Sequence, residues 1–421
     1  VFTGLRRGNR LVVSRLPLFL ILLCAAIAAS AAELIVSTDF EGGSARVESI
    51  DQATRTIRFM PGGDPQRGWP CWWYMRIDGL PDGESAVLDL AGSDLPARNN
   101  GQDTGKPLAT SWAMPTRAAF STDGIDWQQT DAGTRSGARM LYEVTGSGGP
   151  VWVAWGPPFT PADTEKLLVE TMKALPSANA FELARTREGR TVRGLRLAAA
   201  AELRPPVIWI QARQHAWESG ASWVASGLME WLAGPDKRAL WLREHAEVFV
   251  VPIMDVDNVA TGNGGKEADP HDHNRAWTDH PIYPEVAAAQ RRLLTFAKEK
   301  RLAVFIDLHN PAAGDLKPFF FRGPREYLPE PALRNETRFL ELAARYIADP
   351  LPLDTSDHLT GPKYHPLWQQ ISGQWVTAHG NQDTVSVCLE TSWNTIHSTT
   401  TGYRIVGRQL GETLSDFMES R

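Results

Sequence analysis

From Pro161 to the C-terminus, apolar runs of strand length alternate with amphipathic runs of helix length, and this alternation constrains the fold more than any other feature of the chain. ADTEKLLVETMKAL reads as a helix, LRLAAA and PPVIWIQAR as strands, ASWVASGLMEWLAG as a helix and AEVFVVPIM as a strand. PEVAAAQRRLLTFAKEK then reads as a helix, RLAVFIDLH as a strand, PALRNETRFLELAARYIA as a helix, VSVCLET as a strand and TGYRIVGRQLGETLSDFM as a closing helix. Strands that are apolar along their whole length need cover on both faces, so the expected architecture is a largely parallel or mixed sheet flanked by helices. Upstream the texture differs. Between Glu33 and Pro158 the runs are short, among them ARVESI, TIRFM, CWWYMRI, SAVLDL, RMLYEV and VWVAW, and they are separated by PGG, LPDGE, STDG and GSGG turn material. The reading is a smaller all-β, sandwich-like domain over 33–160, followed by the α/β domain over 161–421.

The first 32 residues have a logic of their own. Arg6, Arg7, Arg10 and Arg15 precede LPLFLILLCAAIAAS, and small residues follow before the first acid, Glu33. That order is the one expected of an export signal cleaved after Ala32, with a periplasmic or extracellular destination. A retained anchor is the alternative, because Leu16 to Ala32 is near the lower length limit for a membrane span. Later stretches are too short or too polar to span, so no stable membrane span is expected after cleavage. Loss of four arginines and no acids takes the formal charge from −6 to −10. That balance excludes the concentrated positive charge of a nucleic-acid footprint. Cys71 and Cys388 lie in WPCWWYM and VSVCLET and read as two buried thiols rather than a disulfide framework. Oligomeric state is left open by composition.

The predicted strands deliver polar groups at their C-terminal ends. His215 and Glu218 follow PPVIWI, Asp307 and His309 close LAVFI, and Glu390 ends VSVCL. Open α/β sheets place their sites there. Two imidazoles and one carboxylate, His215, Glu218 and His309, make a ligand set that suits zinc and leaves a position open for water. Non-haem iron uses the same ligand types. Each residue also has a plainer use: His309 as a hydrogen-bonded strand end, Glu218 as an acid at a helix N-terminus. Glu390 is harder to explain away, since a carboxylate at the mouth of an apolar core needs a partner or a water.

QHAWES, PHDHNRAW, IDLHN and CLETSW, in this order and at these separations, resemble the M14 family of zinc carboxypeptidases. WWYMRIDGL, AMPTRAAFSTDGIDW and WVAWGPPFTPAD resemble the β-domain of its cytosolic-carboxypeptidase-like branch, which includes exported bacterial proteins. The resemblance implies one zinc ion held by His215, Glu218 and His309, with Glu390 as general base and proton shuttle. It implies that Asn274 and Arg275 hold the substrate's terminal carboxylate, and that Asp272 orients a ligating histidine. His271 and His273 are then neighbours, with extra metal ligation by either as an alternative. The implied partner is a peptide or protein C-terminus, with cell-wall peptide as a further candidate.

One departure stands out. MDVDNVATGNGGKEADPHDHNR puts Asn258 where the branch has glycine, and Gly265 with Lys266 beside it where the branch has an oxyanion-stabilising arginine. Lys266 offers charge there without arginine's rigid fork. The departure keeps a zinc amidase or peptidoglycan-peptide hydrolase open as an alternative, and behind it a non-catalytic binding protein of the same fold. Tyr364 or Tyr403 is expected to close over the substrate, and Lys363, His365, Trp368, Trp375 and Thr377 fall in the region expected to set side-chain preference.

Overall fold

The computed structural model describes residues 33–199 and 204–421, together with Val1 and Gly4. Apart from those two positions, the expected export segment lies outside the described residues. Eight strands form one mixed sheet in the order Ala178–Arg185, Thr191–Leu197, Glu247–Val251, Val207–Ala212, Leu302–His309, Val385–Glu390, Phe319–Arg322 and His358–Leu359. The four in the middle are mutually parallel. Every residue of Val207–Ala212, Glu247–Val251 and Leu302–His309 is buried, which is why these segments read as continuous apolar runs rather than as alternation. The expected helix-flanked mixed sheet is therefore present.

The strand order positions the site. Val207–Ala212 has Glu247–Val251 on one side and Leu302–His309 on the other, so the connections leaving it diverge and open a crevice beyond the C-terminal strand ends. Helix Ser219–Ala233 follows the first of these strands and packs against the closing helix Thr400–Glu419. The two backbones touch at glycines: a Cβ on Gly227 would lie 2.2 Å from the Arg404 carbonyl oxygen, and one on Gly407 would lie 2.1 Å from that of Val224. Glycine costs a helix about 1 kcal/mol relative to alanine, and here that cost permits the contact.

Ahead of this sheet lie two five-stranded sheets and a short hairpin. Ile35–Ser37, Tyr74–Asp78, Val151–Ala154, Ala119–Ser121 and Gln128–Gln129 form the first, antiparallel throughout. The second runs Thr134–Ser136, Arg139–Thr145, Ser85–Ala91, Thr56–Met60 and Arg46–Asp51, with a single parallel pairing between Thr56–Met60 and Ser85–Ala91. One continuous core joins these sheets to the α/β part. Trp112 and Trp155 interlock with Trp217 and Trp393, with Trp155 and Trp393 stacked at 3.9 Å between centroids. Backbone hydrogen bonds add a seam between residues 66–69 and 264–269: Gly265 N–H donates to Arg67 O at 3.0 Å and Trp69 N–H to Lys266 O at 2.9 Å.

Candidate active site

The loop between Ala212 and Ser219 is held from inside by an arginine. Arg213 adopts a left-handed backbone (φ 65°) and is buried. Its Nε donates to Ala216 O at 2.7 Å and its Nη1 to Phe159 O at 3.0 Å and Ser222 Oγ at 3.3 Å. Burial lowers its pKa to about 9 against the opposing pull of Glu218, Asp255 and Asp163, so it stays charged at neutral pH. Clasped in this way, the loop turns His215 and Glu218 inward.

Glu218 is the N-cap residue of helix Ser219–Ala233, yet its side chain makes no capping hydrogen bond. Its carboxylate instead meets both imidazoles, Oε1 at 2.8 Å from His215 Nδ1 and Oε2 at 2.5 Å from His309 Nδ1. Burial pushes the Glu218 carboxyl up, but the charges of His215 and then His309, with their hydrogen bonds, outweigh it and hold the group below the usual range. The far nitrogens of both rings are also occupied. His215 Nε2 lies 3.2 Å from Asp272 Oδ1, and His309 Nε2 lies 3.1 Å from Asp307 Oδ2. Each outer carboxylate accepts from Nε2 and orients its ring, which makes Nδ1 the nitrogen that would ligate a metal; burial lowers His309, but the charges of Asp307 and Glu218 outweigh it and raise its pKa well above the ordinary imidazole value.

The donor atoms of His215, Glu218 and His309 all lie within 4.8 Å of one another, and all three residues are buried. Among the described residues this is the single His/Cys/Asp/Glu group with metal-holding geometry. Two imidazole nitrogens and a carboxylate, each backed by an outer acid or a facing histidine, fit a zinc ion.

Glu390 stands opposite His309 on the adjacent parallel strand. It is buried, and its Oε2 has no hydrogen-bond partner. Burial pushes its carboxyl up to about 7, with Glu218 adding to the rise while His309, Lys266 and His215 oppose it. A carboxyl poised near neutrality beside a metal-binding triad suits proton transfer. Cys388, two residues earlier, places its Sγ 3.7 Å from Glu390 Oε1 and lines the same cavity. The expectation of two thiols in apolar cores therefore holds for Cys71, which is buried, and is corrected for Cys388, which is half-buried at the site.

Asp272, Asn274 and Arg275 are brought to the same place by a single turn of 3-10 helix, His273–Arg275, capped by the Asp272 carboxylate on Asn274 N–H. Burial raises the Asp272 carboxyl, but His215, through charge and hydrogen bond, and then Lys266 and Arg275 hold it well below the usual range. Asn274 Oδ1 accepts from Ser372 N–H at 2.9 Å, which turns its Nδ2 toward His309 at 3.2 Å. Because His309 Nε2 carries its proton toward Asp307, the Asn274 amide hydrogens remain available to a ligand. Arg275 Nε donates to His365 Nδ1 at 3.3 Å. Burial and then the Arg275 charge lower His365 to about 4, keeping it a neutral acceptor at physiological pH.

Gly265 and Lys266 resolve differently. Gly265 has φ +75°, and a Cβ on it would lie 2.5 Å from Asp255 Oδ2 and 2.7 Å from Ala216 N, so no side chain fits. Lys266 lines the cavity, with Nζ 5.4 Å from the centre of the Trp69 ring. Asn258 turns away and binds Asp255 through its backbone and side-chain nitrogens. His271 and His273 do not join the triad: His273 lies between Gln214 and Glu285, and His271 Nε2 bonds Arg275 O.

The cavity holds about 340 Å³, and its lining includes His215, Glu218, His309, Glu390, Lys266 and Arg275. Tyr364 lines it and is exposed, whereas Tyr403 is fully buried between helices, under Gly220. The expectation for Tyr403 is thus corrected: helix packing consumes its ring. None of Lys363, His365, Trp368, Trp375 and Thr377 lines the cavity; Thr360, Ile371 and Gln374 do so from the same region. Sequence reasoning assigned no role to Asp307, Arg213 or Trp112. An acid inside the apolar run LAVFIDLH was a signal for the first. The other two had none: Arg213 reads as one more polar residue of a loop, and Trp112 meets Trp217 and Trp393 only in the folded chain.

The model of the zinc carboxypeptidase family, Peptidase M14, matches residues 164–400, more than half of the chain. The chain belongs to that family. Cytosolic carboxypeptidase 1 of Mus musculus is 36% identical over 107 residues, which are 25% of this chain and 9% of that protein. The chain thus spans less than a tenth of the length of that curated relative. Among solved structures, a metallo-carboxypeptidase from Burkholderia cenocepacia superposes with a TM-score of 0.74 at 23% identity, covering 92% of this chain and 99% of the other. A metallo-carboxypeptidase from Pseudomonas aeruginosa, in complex with (2-guanidinoethylmercapto)succinic acid, gives 0.69 at 19% identity over 91% and 100%. Both likenesses are of fold.

Proposed function

We propose that the protein is a zinc-dependent carboxypeptidase that removes the last residue of a peptide or protein chain. The convergence of His215, Glu218 and His309 on one point, facing Glu390 and sharing a cavity with Arg275, carries the reading. His215, Glu218 and His309 would hold the zinc, which when bound would supply a Lewis acid for the scissile carbonyl and for water. Glu390 takes a proton from the attacking water at the unpartnered Oε2 and returns it to the leaving amine. Arg275 and the Asn274 amide hold the free α-carboxylate, which restricts cleavage to the final peptide bond. Lys266 faces the developing oxyanion.

The cytosolic-carboxypeptidase-like branch is supported by the local match to Mus musculus cytosolic carboxypeptidase 1 and by the β-sheets that precede the α/β part. We assign residues 33–160 to an accessory domain that adds Trp112 to the cavity wall and 161–421 to the catalytic domain. Export is supported by the arginines and apolar run of residues 1–32; among the described residues no helix is long and apolar enough to cross a membrane. A zinc amidase acting on cell-wall peptide is the second reading, favoured by the side-chain-free Gly265 at the arginine position.

Free and C-terminally amidated versions of one peptide set separate the two. Loss of a charge-assisted pair costs roughly 1.5–3 kcal/mol, so amidation is expected to lower kcat/KM about 10- to 100-fold. Equal cleavage of both forms, or internal cuts, would reject the carboxypeptidase and favour the amidase.

A further inference from the structure

We infer that the terminal residue released by this site carries an uncharged, chiefly apolar side chain. The inference rests on the carboxypeptidase reading and concerns the cavity wall beyond Arg275. Phe319 and Phe321 pair with Glu390 and Cys388 on adjacent antiparallel strands. Residues two apart on a strand, and partners across a pair, share a face. Ser386, Cys388 and Glu390 therefore continue sideways into the rings of Phe319 and Phe321, and all five line the cavity. A side chain next to a scissile bond activated by Glu390 meets this wall.

Three polar side chains of the wall already bond within the protein. Ser386 Oγ donates to Gly373 O at 2.8 Å, Gln374 Nε2 to Thr360 Oγ1 at 2.6 Å, and Thr360 Oγ1 to Arg322 O at 3.2 Å. No charge stands among them. Arg275 is committed to the α-carboxylate, Lys266 sits on the loop joined to the β-sheets, and Asp315 is half-exposed on the segment before Phe319. A carboxylate or ammonium pressed against this wall would lose hydration without gaining a partner, whereas an aromatic or branched aliphatic side chain would bury apolar area against two rings.

The test has two arms, both on the full chain. Peptides differing only in a terminal Phe, Leu, Glu or Lys are compared by kcat/KM on the zinc-loaded enzyme, and N-acetyl derivatives of the same four amino acids are titrated calorimetrically into the Glu390→Gln variant. Phe and Leu are expected to exceed Glu and Lys by about 10-fold or more in both arms. Phe321→Arg is expected to shift the Glu-to-Phe ratio of binding toward Glu by a similar factor. Equal or better trimming and binding of Glu or Lys would overturn the inference while leaving the carboxypeptidase reading intact. The expected binding order with no trimming of any peptide would uphold the wall's preference for apolar side chains and overturn the carboxypeptidase reading. A Glu-to-Phe ratio unchanged in a folded Phe321→Arg protein would overturn the assignment of this wall.

Discussion

His309 and Glu390 face each other across two adjacent parallel strands, in the same register position at the C-terminal edge of the sheet. The pairing puts both side chains on one face, so a metal-holding imidazole and an unpartnered carboxylate share a cavity although 80 residues separate them in the chain. Their tasks differ. His309→Ala is expected to lose zinc, because it deletes a donor. Glu390→Gln is expected to keep zinc and lose turnover by roughly 10²- to 10⁴-fold, because an amide cannot accept the proton. Metal content by atomic emission, set beside hydrolysis rates, distinguishes the two; a fully active Glu390→Gln enzyme would remove the role given to that residue.

Asp307 is wholly buried and accepts from Gln214 Nε2 and Ser372 Oγ as well as from His309 Nε2. Asp307→Asn is expected to weaken zinc binding by about 10- to 100-fold, since the amide neither enforces the His309 tautomer nor raises its basicity. Competition with a chromophoric chelator measures this. An unchanged affinity in a protein of unchanged Tm would show that Asp307 serves only packing.

Lys266→Met is expected to lower kcat by roughly 10²- to 10³-fold with little change in KM, the pattern of a group that meets charge only in the transition state. Lys266→Arg is expected to restore much of it. A raised KM at constant kcat would place Lys266 in ground-state binding instead.

Away from the site, Glu336 is buried with Arg322 Nη1 at 3.4 Å and its own Oε2 unpartnered. Burial pushes its carboxyl up to about 7 despite the Arg322 charge. The folded protein therefore holds this proton at pH values where the unfolded chain has released it, and stability falls as pH rises from about 4.5 to 7. Glu336→Gln, neutral at every pH, lacks that slope. Relative to the parent it is expected to gain on the order of 1–3 kcal/mol between pH 5 and pH 8. Denaturant unfolding of both proteins at the two pH values gives the difference; parallel pH profiles would rule it out.

The sheet-and-helix alternation after Pro161 was legible because each element announces itself over a few residues: strands buried on both faces are apolar throughout, and helices carry an apolar stripe. The polar groups at strand ends were legible for the same reason, since His215, His309 and Glu390 each interrupt or close such a run. The resemblance of the motifs around them supplied the expected roles. Tertiary structure decided what local pattern does not encode. The strand order that sets His309 opposite Glu390, the loss of Tyr403 to a glycine-lined helix crossing, the seam that brings Lys266 to the cavity, the tryptophan cluster that brings Trp112 there and the pairing of Phe321 with Cys388 all depend on contacts between distant segments. Periodicity is a property of a few consecutive backbone dihedrals, whereas register and pairing are chosen by how whole faces pack, and only the folded chain makes that choice.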